Sequence, residues 1–200
     1  MGGVRRDWFI KLSTKLFDPD YGLFCLTEQL NVQPNSFSGI NPDHYKYFNF
    51  AGRIVARALL QGENIEANLS RSFLCHILHR KVKLEDLNGI DESLFTSLHS
   101  YLENDMDKPP FDETYFEYGI EHFGSFETIE LKPNGKNIRV TNEDKNEYVD
   151  LIIDYISRKS IIEQINSFLD GFESIIPYKD IQMFSPKELH LMICGCSKID

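Results

Sequence analysis

Cysteine is scarce in this 200-residue sequence, and its placement excludes two common uses. The four cysteines are Cys25, Cys75, Cys194 and Cys196, which are scattered along the chain. No His or Cys pair has the spacing of a zinc finger, and no dense disulfide framework is visible. The pattern is typical of buried, reduced thiols in a cytosolic protein, so we expect a cytoplasmic location, with the nucleus possible.

Long apolar runs and an excess of basic residues are also missing. No run reaches the length of a membrane helix and no secretory signal is visible, so we expect no membrane association. The formal net charge is −10, from 31 acidic and 21 basic residues. Nucleic-acid binders normally present a basic face, so we expect no nucleic-acid partner, whereas a basic protein partner is compatible.

Motifs for the common catalytic chemistries are absent as well. The sequence has no Gly-rich phosphate loop, no Gly-x-Ser-x-Gly and no His-Glu-x-x-His, so a hydrolase or a metal enzyme has no supporting motif, and we expect no cofactor. His76 and His79, beside Cys75, offer a metal alternative. The neighbouring Arg80 and Lys81 favour a cationic helix end instead, where His complements the dipole.

Helix signals dominate what is present. Periodic apolar residues and capping signals predict helices over 4–17, 41–61, 70–79, 91–104, 142–158 and 160–171, and a last helix between Ser185 and Gly195. Short strands are expected over 21–26 and 30–33, and a small sheet from 115–118, 127–131 and 137–140. Gly52, inside the second helix, costs roughly 1 kcal/mol relative to Ala, which predicts close packing there. The expected class is mainly helical α+β.

The most informative stretch runs from Leu131 to Val149. Pro133, Asn134 and Gly135 predict a turn, and the short apolar runs on either side predict that it joins a hairpin. Thr141 stands three residues before Asp144, which predicts a helix that begins with a Thr hydroxyl cap.

This order of hairpin, cap and helix resembles the amino-terminal lobe of the HECT-type ubiquitin-protein ligases. Further motifs fall in family order along nearly the whole chain, which makes the combined resemblance strong although each motif is weak alone. They are Arg5-Arg6-Asp7-Trp8-Phe9, Asp18-Pro19-Asp20-Tyr21-Gly22-Leu23-Phe24, Gln33-Pro34-Asn35-Ser36, Asn41-Pro42-Asp43-His44, Tyr47-Phe48-Asn49-Phe50-Ala51-Gly52-Arg53, Ser72-Phe73, Leu102-Glu103-Asn104-Asp105, Phe123-Gly124, Gly171-Phe172 and Leu191-Met192-Ile193-Cys194-Gly195. The resemblance implies one lobe over residues 1–200, with a large helical subdomain and a small subdomain inserted at about 88–150.

The resemblance also implies a docking groove for a ubiquitin-conjugating enzyme. Carried over residue by residue, the groove comprises Leu94, Leu98, Tyr101 and Asn104 from one helix, Tyr148 from the following long helix, and Phe111 from a loop that matches the family less cleanly. The pattern alone favours a different interpretation, because Leu94, Phe95, Leu98, Tyr101 and Leu102 span an arc of roughly 120°, the width of one core-facing stripe.

Ubiquitin itself is a second implied partner. Some members of the family hold a second ubiquitin through residues that correspond to Tyr21 and Phe123. The alternative is that both are core aromatics. Two flanking positions that help in those members are occupied here by Cys25 and Leu26, which speaks against the second site.

Catalysis in this family uses a cysteine on a carboxy-terminal lobe, which these 200 residues do not contain, and the Thr-Cys-Phe pattern is absent from them. Cys194 lies in the last turn of a helix, the wrong end for lowering its pKa, and Cys196 follows the Gly stop, so both favour structural roles. We therefore expect no catalytic residue in this chain and no activity from it alone, whereas the parent protein would be a ubiquitin transferase. The alternative is a degenerate copy of the lobe that serves only as an interaction scaffold.

Overall fold

The computed structural model describes residues 2–87, 91–122 and 125–195. Over these residues the chain forms a mainly helical α+β structure, as the sequence predicts. The helices are α1 (Gly2–Leu16), α2 (His44–Leu60), α3 (Arg71–Ile77), α4 (Glu92–Glu103), α5 (Lys145–Ser157), α6 (Ile162–Glu173) and α7 (Pro186–Cys194), and the strands are β1 (Phe24–Leu26), β2 (Val32–Pro34), β3 (Glu117–His122) and β4 (Ser125–Glu130). No helix of the described segments is long and apolar enough to cross a membrane.

The chain divides into two compact units. The larger unit comprises residues 1–82 and 160–200, and the smaller unit comprises residues 83–159, inserted between the two parts of the larger one. The range of 88–150 expected for the inserted subdomain falls within the smaller unit.

The larger unit packs five helices around an aromatic core. Phe24 on β1, Phe48 on α2, Phe73 on α3 and Phe168 on α6 are fully buried, and neighbouring rings meet at centroid distances near 5 Å: 5.1 Å for Phe24 with Phe48 and 4.8 Å for Phe73 with Phe168. Strands β1 and β2 form an antiparallel pair beside these helices. Offset and edge-to-face aromatic contacts of this kind add to the free energy of burial.

Helices α2 and α6 make the closest helix contact in this unit. A Cβ added at Gly52 would lie 2.0 Å from the carbonyl oxygen of Phe168, and one added at Gly171 would lie 1.9 Å from that of Asn49. Only hydrogen fits at either position, so the two glycines let the helix backbones touch. This confirms the prediction that Gly52 marks a close approach.

The smaller unit contains α4, α5 and the antiparallel pair of β3 and β4. Its core includes Leu87, Leu98, Met106, Phe116 and Ile152, each at most 1% exposed.

The predicted hairpin around Pro133-Asn134-Gly135 is wrong. Strand β4 pairs with β3, and Arg139 pairs instead with Tyr115 in an isolated bridge. The two predicted arms of the hairpin do not pair with each other but both bind the backbone of Phe116. The Phe116 carbonyl accepts from the Leu131 amide at 2.9 Å, and the Phe116 amide donates to the Ile138 carbonyl at 3.0 Å. The turn itself exists, as a 3-10 turn over Gly135–Asn137 with Asn134 at φ 61°. Gly135 lies against the Phe116 carbonyl, which separates the two arms.

The helix caps follow the sequence in part. Asp91 accepts from the Leu94 amide, Ser70 from the Phe73 amide, and Ser185 forms the predicted capping box with Glu188. Thr141 does not cap α5 through its hydroxyl; its amide donates to Asp144 Oδ1 at 2.6 Å, and α5 begins at Lys145.

Two further helix starts differ from the prediction. Helix α2 begins at His44 rather than at Pro42, because Asp43 takes a left-handed conformation. Helix α6, predicted over 160–171, begins at Ile162, because a 3-10 turn over Lys159–Ile161 precedes it.

Candidate docking surface

An aromatic cluster in the smaller unit brings together most of the residues expected in the docking groove. The Tyr101 ring on α4 makes edge contacts with Phe111 at 5.6 Å and with Tyr148 on α5 at 5.2 Å, measured between ring centroids. Tyr148 in turn meets the ring of Phe116 at 5.7 Å. We define the Tyr101 surface as half-buried Tyr101 and Phe111, together with half-buried Leu94 two turns earlier on α4 and exposed Asn104 at the end of that helix.

The Tyr101 surface is built on a buried floor. Leu98 is 1% exposed and Tyr148 is 4% exposed. The expectation that Leu98 is a solvent-facing groove residue is therefore corrected, because Leu98 points into the core of the smaller unit. Tyr148 likewise supports the surface from below, whereas Leu94 and Tyr101 keep part of their side chains accessible.

Tyr148 is held in one orientation by its hydroxyl and its neighbours. The hydroxyl donates to the Glu117 carbonyl at 3.3 Å. Burial, followed by the neighbouring Tyr101, raises the pKa of Tyr148 well above its usual value. The phenol therefore stays neutral at physiological pH and remains a hydrogen-bond donor, which fixes the ring against which Tyr101 leans.

The Phe116 ring also has a cation over its face. Lys132 Nζ lies 3.3 Å from the Phe116 centroid and 3.0 Å from Glu147 Oε2 on α5. Neither Phe116 nor Lys132 was predicted as part of the site. A single Phe inside a short predicted strand gives no signal that it will lie at the centre of an aromatic cluster.

The loop that carries Phe111 is anchored at several points. Met106 is fully buried, and its amide donates to Asn142 Oδ1 at 2.9 Å. Arg139 forms an ion pair with Asp107 and donates to the Asp112 carbonyl at 3.1 Å. Asn104, which ends α4, receives Lys145 Nζ on its carbonyl at 2.9 Å. These bonds fix Phe111 and Asn104 relative to α4 and α5.

Tyr21 lies on the larger unit and is 54% exposed, so it is not a core aromatic. It borders an open cavity of about 820 Å³ between α1 and the start of α2, which Leu12, Tyr47 and Phe50 also line. Phe123, its expected companion, lies outside the described residues. Tyr47 and Phe50 were not predicted as site residues, although both are exposed on α2.

The cysteines of the described segments do not form a reactive site. Cys75 is buried, and Cys25 and Cys194 are half-buried. Burial raises the pKa of the Cys194 thiol to about 11, which disfavours the thiolate needed for nucleophilic attack. Cys196 lies outside the described residues. Among the described residues, no three His, Cys, Asp or Glu side chains converge as a metal ion requires.

Comparison with known proteins gives a consistent result. A family model described as HECT-domain (ubiquitin-transferase) matches residues 10–200. The chain is 41% identical to E3 ubiquitin-protein ligase pub1 of Schizosaccharomyces pombe, 39% identical to E3 ubiquitin-protein ligase ptr1 of the same organism, and 39% identical to E3 ubiquitin-protein ligase RSP5 of Emericella nidulans, each over 201 residues. Each match covers 100% of this chain, but only 26%, 6% and 24% of the respective relative. The chain therefore spans about a quarter or less of these curated relatives.

Proposed function

The chain belongs to the HECT-domain family, and on that premise we propose that it is the docking lobe of a ubiquitin-protein ligase. In this proposal a ubiquitin-charged conjugating enzyme binds the Tyr101 surface, and the lobe presents the thioester to a cysteine outside these 200 residues. The whole protein would then transfer ubiquitin from that cysteine to a substrate. The contribution of the lobe is proximity and orientation, which lower a transfer barrier without a catalytic side chain of its own.

The observation that carries the docking role is the half-exposed pair of Tyr101 and Phe111 above a buried floor. A residue that contributes strongly to binding is commonly an aromatic anchor whose neighbours hold it in place. Tyr101 has this character, since Phe111 flanks it and buried Tyr148 supports it. The anchored loop restricts Phe111 in the same way, so little ordering is required when a partner binds.

The described cysteines support the part of the proposal that places the reactive sulfur elsewhere. Cys194 holds its proton at neutral pH, because burial raises its pKa to about 11. Cys75 is buried and inaccessible to a bulky thioester. In this proposal the described part of the chain supplies the docking surface, and the nucleophile is a cysteine elsewhere in the protein.

A second ubiquitin-binding site around Tyr21 is part of the same proposal. The exposed Tyr21 ring and the adjoining apolar cavity offer a surface for an apolar patch on ubiquitin. A Tyr21→Ala variant should lose the chemical-shift changes that free ubiquitin causes in the wild-type chain. If ubiquitin causes the same chemical-shift changes in the variant as in the wild type, Tyr21 is not part of the site.

The docking role is tested with Tyr101→Ala and an uncharged ubiquitin-conjugating enzyme that binds the wild-type chain. Truncating an anchor costs about 1–3 kcal/mol, so we expect the Kd by titration calorimetry to rise about 10-fold or more, with the circular dichroism spectrum unchanged. Tyr47→Ala is the matched control, because Tyr47 is an exposed tyrosine of the larger unit (51% exposed).

Two outcomes contradict the proposal. Equal Kd values for the Tyr101 and Tyr47 variants would remove the Tyr101 surface from docking. If the wild-type chain binds none of a panel of conjugating enzymes, the alternative of an interaction scaffold is favoured instead.

A further inference from the structure

A single lysine contacts the buried end of the aromatic cluster in the smaller unit. The Lys132 ammonium nitrogen lies 3.3 Å from the centroid of Phe116, a ring that is fully buried. The same nitrogen lies 3.0 Å from Glu147 Oε2, and 24% of the Lys132 side chain is exposed. Because the ammonium is largely withdrawn from water, its attraction to the ring is stronger than that of a fully exposed cation.

Four rings connect this cation to the Tyr101 surface; we call Phe116, Tyr148, Tyr101 and Phe111, in this order, the aromatic ladder. Phe116 meets Tyr148 at 5.7 Å with the ring planes 87° apart. Tyr148 meets Tyr101 at 5.2 Å and 82°, and Tyr101 meets Phe111 at 5.6 Å and 71°. In such edge contacts the positive edge of one ring faces the negative face of another, so the tilt of each ring constrains that of the next. The ladder is buried at Phe116 and half-buried at Tyr101 and Phe111.

The chain on both sides of the Lys132 contact is attached to the first two rings of the ladder. Leu131, the residue before Lys132, donates its amide to the Phe116 carbonyl at 2.9 Å. Glu147, the acidic partner of Lys132, lies in the first turn of α5 and directly precedes Tyr148. The Lys132 side chain therefore joins the backbone that holds Phe116 to the helix turn that holds Tyr148.

We propose that Lys132 is a positioning residue for docking: its ammonium, held over the Phe116 ring, fixes the aromatic ladder and with it the orientation in which Tyr101 meets a conjugating enzyme. The inference rests on the proposed docking role and adds to it a residue that acts through other side chains.

The ring contacts matter because the polar restraint on the ladder is weak. The Tyr148 hydroxyl reaches the Glu117 carbonyl at 3.3 Å, which is longer than the usual range of about 2.5–3.0 Å for a hydroxyl donor. The orientation of Tyr148 therefore depends strongly on the rings beside it. Ordering a side chain costs free energy of binding, so a Tyr101 ring that is already fixed binds a partner more tightly than a mobile one.

The test uses three variants of the full 200-residue chain and one uncharged conjugating enzyme that binds the wild type. Lys132→Gln removes the charge from the ring, whereas Lys132→Arg keeps a cation that also packs on aromatic faces. Lys136→Gln is the matched control, because Lys136 lies four residues further along, is 62% exposed and pairs with Glu130 at 3.4 Å. We expect the Kd by titration calorimetry to rise about fivefold for Lys132→Gln and to stay within about twofold of the wild type for the other two variants.

A second measurement distinguishes positioning from a loss of stability. The chemical shifts of the folded chain report how the rings are oriented and do not depend on how much of the chain is folded. In protein with 13C-labelled tyrosine, the ring resonances of Tyr101 and Tyr148 should move in Lys132→Gln and return toward their wild-type positions in Lys132→Arg. The ring resonances of Tyr21, which lies in the larger unit, should stay unchanged in both variants.

Several outcomes overturn the role of Lys132. Equal weakening by Lys132→Gln and Lys136→Gln would show an effect of charge alone, and weaker binding with unmoved Tyr101 resonances would show an effect that bypasses the ladder. If Tyr101→Ala weakens binding while Lys132→Gln binds as the wild type, docking stands and the role of Lys132 fails. If Tyr101→Ala leaves binding unchanged, the docking proposal fails and the role of Lys132 fails with it. If Lys132→Gln does not fold, Lys132→Leu, which keeps an apolar cover on Phe116 without a charge, provides the same comparison.

Discussion

Single residues determine how closely elements approach in the larger unit. Gly52 and Gly171 face the backbone of the opposite helix, where an added Cβ would come within 2.0 Å of a carbonyl oxygen. A flexible side chain could move aside, but a helix backbone cannot shift without moving the phenylalanines packed on it. A methyl group added here would therefore weaken the packing along the whole contact between α2 and α6.

Gly171→Ala should lower the free energy of unfolding by about 3 kcal/mol, at the upper end of the cost of overpacking a core. Urea denaturation followed by circular dichroism measures this change. Gly3→Ala is the matched control, because nothing lies within 4 Å of a Cβ added at Gly3, so the same substitution should leave stability nearly unchanged. Equal stability of the Gly171 variant and the wild type would contradict the close contact.

Asp105 is a residue whose charge matters for the loop that carries Phe111. Its carboxylate accepts from Asn142 Nδ2 at 2.7 Å, from the Asp107 amide at 3.1 Å and from Lys108 Nζ at 3.0 Å. The first of these bonds contributes most, and together they hold the pKa of Asp105 well below its usual value. Because the folded pKa is depressed, the stabilisation is present above the unfolded value of about 4 and is lost as the pH falls below it.

Asp105→Asn should therefore be less stable than the wild type at pH 7, and the difference should narrow as the pH falls from about 4 toward 2. Urea midpoints of both proteins at pH 7, 4 and 2.5 provide the measurement. If the difference between the two urea midpoints stays constant over this pH range, the shape of the side chain matters and its charge does not.

At the scale of the elements, helix caps were predictable where they depend on neighbouring residues alone. The boxes and caps at Asp91, Ser70 and Ser185 follow from spacing alone, because each uses atoms within three residues. Thr141 and Ser160 also stand three residues before an acidic residue. Turns precede both helices, however, and the helices begin further along the chain. The pairing of β4 with β3 was not predicted, because β3 precedes β4 in the chain whereas the predicted turn pointed to a partner strand after β4.

The residues proposed for docking were taken from the family resemblance, and the burial of each side chain was not predictable from the sequence. The periodicity of α4 places Leu94, Leu98 and Tyr101 on one stripe but does not tell which of them the rest of the unit covers. The structure buries Leu98 and leaves Leu94 and Tyr101 half-buried. The burial of each of these side chains depends on long-range contacts such as those of Met106 and Tyr148, which no local sequence pattern encodes.

Ser185→Ala should lower the free energy of unfolding by about 1 kcal/mol, because it removes the acceptor for the Glu188 amide at the start of α7. Ser185→Thr, which keeps a hydroxyl, should retain most of that stability. Thr141→Ala should cost less than Ser185→Ala, since the bond at Thr141 uses its amide. Chemical denaturation of the three variants distinguishes these cases, and the reverse order would favour a hydroxyl cap at Thr141.

At the scale of the whole molecule, the two units have separate cores and different net charges. The aromatic core around Phe48 and Phe168 draws its residues only from the larger unit. The smaller unit has its own buried residues, with Leu98 among them, and it also carries the entire net charge. Under the docking proposal, the larger unit would be a neutral framework and the smaller unit an acidic docking unit.

Leu98→Asp tests the separation, because it places an unpaired charge in the core of the smaller unit alone. The cost of such a change exceeds about 4 kcal/mol, which is a large part of the stability of a domain of this size. Hydrogen exchange read by mass spectrometry should show lost protection across residues 83–159, while α2 and α6 stay protected. Leu94→Asp is the control, since half-buried Leu94 can turn a carboxylate toward water, and protection should persist in both units. Loss of protection throughout the Leu98→Asp chain would mean that the cores unfold as one, and full protection would mean that Leu98 lies at the surface after all.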